Sequence, residues 1–342
     1  MPFAINDGAR IYWREDGRPD APPLLMVGSL GSDHSMWNPV MPALAERFRV
    51  IRVDKRGHGA SDAPQGDYAM SQLGGDLLAV ADAAGVQRFR YMGLSIGGMV
   101  GMWLLGNAPD RLERVVLTNT SARVDPNTFS DRIAAVRAGG MASIADTVMG
   151  RFFTPAYAKL RTVHHETVRQ VLLALQPHGY IGCCTAIRDM RIAEALPRVS
   201  TPTLVVAGTY DVSTSAEQGR WIAQTIPGAQ YLELPTAHFS PSEQPGRFAD
   251  AAVRFLLDDA SVEAALDAST LRLAAIAQAI ALSDPESFAR LVAEGFRQGL
   301  DAGELQALIA HSGSAARPGK TDAFVRLATE LQAAHESATR PS

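Results

Sequence analysis

Apolar residues recur along the first part of the chain in short runs that end at turn-forming residues, a pattern typical of buried strands. These runs predict strands at residues 10–13, 24–27, 48–53, 89–92, 114–117, 203–207 and 230–234. Longer stretches between them carry apolar residues at helical spacing and predict helices at 70–84, 98–106 and 246–257. Strands that alternate with helices predict an α/β fold, in which helices cover both faces of a mostly parallel sheet.

The alternation stops near Ser121 and resumes only at residue 203. The segment in between, about 122–197, reads as several helices without a strand, so we expect a helical cap inserted over the sheet. After Asp258 the composition shifts to an Ala- and Leu-rich helical pattern. The chain is therefore predicted to contain a sheet-based domain at 1–257 and a small all-helical domain at 262–336.

A nucleophile turn is indicated by Gly93-Leu94-Ser95-Ile96-Gly97, which lies between a predicted strand and a predicted helix. Glycines two before and two after the serine suit a sharp strand-to-helix turn that leaves no room for Cβ atoms. A serine hydroxyl is a weak nucleophile at neutral pH, so it needs a nearby base and a third group that orients the base. Ser95 is therefore the candidate nucleophile.

The histidine base and the acid that orients it are predicted from their positions just after strand ends. His238 and Asp211 each follow a late strand, at the sheet edge where open α/β sheets bind ligands. Asp258 and Asp259 are weaker candidates because they lie beyond the last core helix, and Asp54 is more plausibly structural.

Negative charge on the attacked carbonyl oxygen requires preorganised donors, and the residue after the nucleophile usually supplies one backbone N–H. Ile96 fills that place, and Leu30, in the glycine-containing loop after the strand at 24–27, is the candidate for the second N–H. His58 is expected to fix a loop rather than to take part in catalysis.

Composition and charge limit the kinds of binding partner that are expected. The 342 residues are 46% hydrophobic with a formal net charge of −4, and no long basic run points to nucleic acid or an anionic membrane. A small-molecule ligand is the better expectation. The start of the sequence does not resemble a secretory leader, so a soluble, cytoplasmic protein is expected. Its two cysteines, Cys183 and Cys184, are expected to be reduced core thiols without a metal.

These motifs resemble those of the 3-oxoadipate enol-lactonases of the protocatechuate and catechol (β-ketoadipate) pathway, which are α/β-hydrolases. The shared general motifs are residues 28–33, 36–37, 54–59 and 93–98. The more specific ones lie in the cap, at residues 132–140, 153–155 and 179–190. The resemblance covers essentially residues 1–257. It implies hydrolysis of an enol-lactone to 3-oxoadipate through a Ser95 acyl-enzyme, with no metal or organic cofactor.

The substrate implied by this resemblance carries a free carboxylate, and an arginine is suited to bind it in an apolar pocket. Arg132 is the first candidate, and Arg188 is the competing one. Phe129 stands three residues before Arg132, where the family commonly has a tryptophan, and would form a wall of the pocket. Trp37 is a further candidate for the pocket lining, although a large aromatic residue is more often part of the core.

The C-terminal domain resembles the 4-carboxymuconolactone decarboxylase fold, which in some bacteria is fused to this lactonase. The likeness is carried by residues 266–270, 299–305, 311 and 323–324. The histidine that this second family usually has near Leu291 is missing here. A helical packing or oligomerisation module is therefore expected, and a bifunctional lactonase and decarboxylase is the alternative.

Other classes of enzyme use the same set of serine, histidine and aspartate side chains. A carboxylesterase, a C–C bond hydrolase and a cofactor-free perhydrolase stay open, whereas a haloalkane dehalogenase is excluded because it needs a carboxylate at position 95. From a different class, a binding module that keeps the fold without hydrolysis is the remaining alternative.

Overall fold

The computed structural model describes residues 2–258, 276, 285–297, 305, 309 and 325–332. In the first of these ranges, strands form one eight-stranded sheet in the order β1-β2-β4-β3-β5-β6-β7-β8. Strand β2 pairs antiparallel with both β1 and β4, and the other neighbours are parallel. The strands are β1 Phe3–Asn6, β2 Ala9–Asp16, β3 Pro23–Val27, β4 Arg49–Val53, β5 Phe89–Leu94, β6 Leu112–Thr118, β7 Thr203–Gly208 and β8 Gln230–Leu234. The predicted α/β fold class is confirmed.

Strand β1 is the one strand that the apolar pattern does not predict. It forms a hairpin with β2 through Asp7 and Gly8, whose φ angles of 47° and 72° are both positive. Two positive φ angles in a two-residue hairpin loop are typical of a type I′ turn, for which Asp-Gly is a favoured sequence. The turn residues, rather than the four-residue strand, are the signal that predicts this hairpin.

Helices cover the sheet and form the cap. Those of the sheet domain are α1 Met41–Arg47, α2 Met70–Ala83, α3 Ile96–Asn107, α9 Ala216–Thr225, α10 Ser240–Glu243 and α11 Pro245–Leu257. Those of the cap are α4 Pro126–Gly139, α5 Ala145–Phe152, α6 Pro155–Lys159, α7 Val163–Ala174 and α8 Pro177–Arg188. Short 3-10 helices occur at His34–Val40, Pro109–Arg111, Met141–Ser143 and Ala193–Arg198. As predicted, no strand interrupts the segment between β6 and β7.

The cap helices begin where the sequence supplies good N-termini. The side chain of Asp125 accepts a hydrogen bond from the N–H of Asn127 and so caps α4, and the side chains of Thr154 and Thr162 cap α6 and α7 in the same way. Proline occupies the first turn of α4, α6 and α8, where its missing N–H costs nothing. Local sequence therefore sets the helix boundaries, while packing of α4 against α8 closes the cap.

The chain divides into two compact units, Met1–Asp258 and Asp259–Ser342. In the second unit the described residues are helical, with α12 at Pro285–Arg297. They bury a small apolar cluster formed by Ile276, Phe288, Val292, Leu305, Ile309 and Ala328. Most of the segments that carry the decarboxylase resemblance, namely 266–270, 299–304, 311 and 323–324, lie outside the described residues. In the part of the chain that the structure describes, no helix is long and apolar enough to cross a membrane.

Candidate active site

Ser95 lies at the turn between β5 and α3, with φ 59° and ψ −116°. A positive φ is strained for a residue with a side chain and persists only where the surroundings enforce it. A Cβ on Gly93 would lie 2.3 Å from the carbonyl oxygen of Gly97, and a Cβ on Gly97 would lie 2.2 Å from that of Val27. The two glycines thus permit a turn that presents the Ser95 hydroxyl at the carboxyl edge of the sheet.

The backbone of this turn is anchored to the following strand. The N–H of Ser95 donates to the carbonyl of Thr118 at 3.0 Å, and Thr120 Oγ1 donates to the carbonyl of Ser95 at 2.7 Å. A Cβ on Gly98 would collide with the Thr120 side chain at 2.6 Å, so this third glycine allows the strand to approach. These contacts hold the strained conformation in place.

His238 and Asp211 form a buried pair beside Ser95. The distance between His238 Nδ1 and Asp211 Oδ2 is 2.7 Å. Asp211 Oδ1 accepts from the N–H groups of Ser213 and Thr214 at 2.8 and 3.0 Å. Its Oδ2 also accepts from Thr214 Oγ1 at 2.7 Å and from Asn119 Nδ2 at 3.1 Å. Because the carboxylate is held on all sides, Nδ1 carries the proton and Nε2 is left to act as the base.

The electrostatics keep this carboxyl group ionised. Burial acts to raise the pKa of Asp211, but the charge on His238 and the hydrogen bonds from Thr214 outweigh it, so the pKa lies below its ordinary value of 3.8. At neutral pH, Asp211 is therefore a carboxylate that can stabilise a protonated imidazole.

His238 Nε2 makes no short hydrogen bond to either of the two serine residues, Ser29 and Ser95, that line the cavity with it. Within residues 2–258, the Ser95 hydroxyl makes no hydrogen bond of 3.5 Å or less to His238, although both side chains line the same cavity. Ser29 Oγ lies within hydrogen-bond distance of Nε2, at 3.5 Å. Catalytic hydrogen bonds are often long in unliganded enzymes and shorten when substrate binds.

The two predicted oxyanion donors flank the nucleophile. Leu30 lines the cavity in the loop after β3, and Ile96 is the first residue of α3. Neither backbone N–H has an acceptor among the hydrogen bonds of the described residues. Two unpaired N–H groups beside a nucleophile can accept a developing oxyanion.

The loop that carries Leu30 is fixed by two buried basic side chains. The N–H of Gly31 donates to His58 Nε2 at 3.0 Å, and Lys55 Nζ donates to the carbonyl of Ser32 at 2.8 Å. Burial, and then the charge of Lys55, lower the pKa of His58 well below 6.5, so its ring is neutral and can accept. His58 therefore fixes a loop, as its position in the sequence indicates.

The cavity above Ser95 has a volume of about 410 Å³ and lies between the sheet edge and the cap. It is lined by Ser29, Leu30, Ser95, Met99, Val124, Asp125, Thr128, Phe129, Arg132, Val148, Arg151, Phe152, Ile187, Val212, Ser213, Thr214, Gln218 and His238. Arg132 and Arg151 are half-buried, and neither forms an ion pair with a carboxylate in the described part of the chain. Arg132 Cζ lies 5.3 Å from the centroid of the Phe129 ring. The cavity thus offers two unpaired cations to an anionic ligand.

The structure places two of the pocket candidates from the sequence, Trp37 and Arg188, outside the lining of this cavity. Trp37 is fully buried and packs against Phe248, with ring centroids 6.4 Å apart, so it belongs to the core and does not reach the cavity. Arg188 is paired with the neighbouring Asp189 through two hydrogen bonds of 2.8 Å and does not line the cavity either. The adjacent carboxylate satisfies the guanidinium outside the pocket.

Several polar residues of the site are not predicted from the sequence, among them Arg151 and Ser29. Arg151 lies on α5, where its charge alone is typical of an exposed helix face, and only the packing of the cap shows that it faces the cavity. Ser29 immediately precedes Leu30, so its place in the same loop is a signal that could have found it.

Comparisons with known proteins identify the same fold. Residues 22–178 match the family model described as alpha/beta hydrolase fold. The 3-oxoadipate enol-lactonase 2 of Acinetobacter baylyi (strain ATCC 33305 / BD413 / ADP1) is 34% identical over 68% of this chain and 87% of its own length. The putative carbamate hydrolase RutD of Caulobacter sp. (strain K31) is 29% identical over 76% of this chain and 100% of its own length. The crystal structure of the enol-lactonase from Burkholderia xenovorans LB400 superposes with a TM-score of 0.73 at 39% identity, covering 75% of this chain and 100% of that one.

Proposed function

The chain belongs to the α/β-hydrolase family and is a hydrolase by class, and from that premise we propose that it opens 3-oxoadipate enol-lactone to 3-oxoadipate through an acyl-enzyme on Ser95. The observation that carries the proposal is the composition of one cavity. Ser95 and the His238–Asp211 pair line it together with Arg132, an arginine that has no carboxylate partner in the described part of the chain. A nucleophile, a base and an unpaired cation in one pocket suit an ester that carries a carboxylate.

In the first half of the reaction, Ser95 Oγ attacks the lactone carbonyl carbon while His238 Nε2 takes its proton. Asp211 stabilises the imidazolium that forms. The N–H groups of Leu30 and Ile96 donate to the carbonyl oxygen as it gains negative charge. When the C–O bond of the ring breaks, the enol oxygen takes the proton from Nε2, and the enol then becomes the more stable ketone.

In the second half, water attacks the acyl-enzyme. His238 Nε2 takes a proton from the water, and the same two N–H groups hold the oxyanion again. The bond to Ser95 Oγ then breaks as Oγ regains a proton from Nε2. The new carboxylic acid group loses its proton to solvent, so the product is released as a dicarboxylate, and the protein groups return to their starting protonation states.

Binding of the free carboxylate of the substrate is assigned to Arg132, with Arg151 as a second cation. An arginine can donate two parallel hydrogen bonds to a carboxylate, and a half-buried position reduces the competition from water. Phe129 lies beside the Arg132 guanidinium and limits where it can point. The relatives named as enol-lactonases support this substrate over an uncharged ester.

The test is to compare the purified protein on 3-oxoadipate enol-lactone, a p-nitrophenyl ester and a simple carbamate. The lactone reaction is followed as loss of ultraviolet absorbance. We expect kcat/KM to be far larger for the lactone than for either uncharged substrate. Comparable or faster turnover of an uncharged substrate would reject the lactonase assignment.

Ser95→Ala tests the mechanism separately from the substrate. We expect a loss of several orders of magnitude in kcat because the nucleophile is removed. Retention of full activity would show that Ser95 is not the nucleophile, and binding without turnover by the unaltered chain would favour a binding module.

A further inference from the structure

Ser29 has a buried hydroxyl group whose hydrogen bonds are all long. The residue is 1% exposed and lines the cavity. Its Oγ lies 3.4 Å from the carbonyl oxygen of Leu30 and 3.5 Å from His238 Nε2, and no closer partner is present among the described residues. A buried hydroxyl that is poorly paired costs free energy, so its retention points to a ligand that completes its hydrogen bonding.

The backbone that carries this hydroxyl is held by the loop. The carbonyl of Ser29 accepts from Ser32 Oγ at 2.8 Å and from the N–H of Ser32 at 3.2 Å. The N–H of Ser29 contacts Met36 Sδ at 3.2 Å. Because the backbone is held from both sides, the Cβ of Ser29 stays near His238, and in the structure its Oγ lies 3.5 Å from Nε2.

The atom that must occupy the space near His238 Nε2 changes during the reaction. In acylation it is the oxygen of the leaving group, which takes the proton from Nε2. In deacylation it is the oxygen of water, which gives a proton to Nε2. By microscopic reversibility the two oxygens use the same position, and that position needs a second hydrogen-bonding group besides Nε2.

We propose that Ser29 Oγ and His238 Nε2 together form the binding site for the leaving-group oxygen and then for the hydrolytic water. This inference rests on the proposed serine-hydrolase chemistry and adds a catalytic residue to it. In acylation, Ser29 Oγ–H donates to the departing oxygen while the C–O bond breaks and Nε2 gives up its proton. In deacylation, Ser29 hydrogen-bonds to the water whose proton moves to Nε2, and Ser29 keeps its own proton throughout.

The test separates the two halves of the reaction with p-nitrophenyl acetate, whose acylation step needs little help because p-nitrophenolate is a good leaving group. Ser29→Ala is expected to slow deacylation by about tenfold, the equivalent of one hydrogen bond. The variant should therefore show a burst of p-nitrophenolate and an acetylated Ser95 by intact-protein mass spectrometry. With an alkyl ester, whose leaving group is poor, acylation should slow as well.

Ser35→Ala is the matched control because it removes a hydroxyl at the end of the same loop that bonds to Asp33 and does not line the cavity. It tests whether loosening the loop alone changes the balance between the two steps, and we expect no acyl-enzyme to accumulate. If Ser29→Ala fails to fold, Ser29→Cys serves instead. Its thiol has the connectivity of the hydroxyl but is a weaker donor, so the same burst is expected with a smaller amplitude.

The proposal is overturned if the Ser29 variants accumulate no acyl-enzyme, or if Ser35→Ala accumulates as much. Turnover of the enol-lactone by the unaltered chain is measured in parallel. Slow lactone turnover together with a burst in Ser29→Ala would reject the proposed substrate and leave the role of Ser29 standing.

Discussion

At the scale of single residues, the site depends on how each charge is paired. Asp211 is an ionised carboxylate surrounded by donors, whereas Arg132 and Arg151 are cations in the cavity without an ionic partner in the described part of the chain. The first arrangement holds a protein group in position, and the second leaves binding capacity for a ligand. Both differences can be measured by substitutions that remove charge and keep shape.

Asp211→Asn is expected to lower kcat by roughly 10³- to 10⁴-fold, because an amide that donates to His238 Nδ1 favours the wrong tautomer. Steady-state kinetics on the lactone provides the measurement. Asp258→Asn is the control: this exposed acid pairs with Arg114 at the end of α11, and kcat should not change. A similar loss in both variants would contradict the assigned role of Asp211.

Arg132→Met is expected to raise KM for the carboxylate-bearing lactone by about 10- to 100-fold, the value of a hydrogen bond to a charged group. Arg151→Met should raise it less. Turnover of an uncharged ester should change little in either variant because no carboxylate is lost from its binding. Arg188→Met removes a guanidinium outside the cavity and is expected to leave KM unchanged, so a rise in that variant instead would move the carboxylate site.

Residues of the site differ in how well sequence predicts them. The nucleophile turn, the histidine and the aspartate each follow a strand end, and the structure brings Ser95, Asp211 and His238 to one edge of the sheet, with His238 and Asp211 in contact. Trp37 and Arg188 could not be placed in this way, because the direction of a cap or loop side chain depends on packing between distant segments.

At the scale of elements, the loop at residues 28–32 depends on a second loop, which supplies Lys55 and His58. These side chains bind the N–H of Gly31 and the carbonyl of Ser32, which directly follow Leu30, and so restrict the direction of the Leu30 N–H. His58 is faced by Lys55, by Cys183 Sγ at 3.9 Å and by the ring of Tyr180 at 6.4 Å. The Arg56 carbonyl, 3.4 Å from Nδ1, favours a charged ring, but burial and the charge of Lys55 outweigh it and keep the ring neutral.

This arrangement predicts acid sensitivity of the fold. Below pH about 6.5 the unfolded chain protonates His58 while the folded chain does not, so the stability contributed by the neutral ring is present above that pH and is lost as pH falls. Between about pH 7.5 and 5.5 we expect the unaltered chain to lose about 1 kcal/mol more than His58→Gln, which keeps an acceptor without titrating. Urea unfolding at both pH values provides the measurement, and equal losses would exclude His58 as the cause.

Comparing predicted with observed elements shows which sequence patterns predict element bounds well. Strand β8 is predicted at its observed bounds, and α11 within one residue, because alternating or helical apolar spacing runs through their full length. Strand β1 has only four residues at the edge of the sheet, too few for a pattern. Its existence depends on pairing with β2, which is a tertiary property.

At the scale of the whole molecule, each unit has its own apolar core. The first unit contains every residue assigned to the proposed reaction, and the solved enol-lactonase is matched along its whole length by 75% of this chain. A unit with a complete core and a complete site is expected to fold alone.

A chain ending at Asp258 should therefore retain kcat for the lactone within about twofold and unfold cooperatively in a thermal scan. The full chain measured under the same conditions is the reference. An insoluble or inactive fragment would mean that the first unit depends on residues 259–342.

The positive φ angle of Ser95 limits how stable the protein can be against heat. Its left-handed conformation costs on the order of 1–3 kcal/mol, and glycine would adopt it without that penalty. Selection for robustness alone would replace the serine, yet the same substitution would remove the reactive oxygen. The molecule therefore keeps a strained backbone at its nucleophile, and the need for a reactive oxygen there limits how far its resistance to heat can be improved.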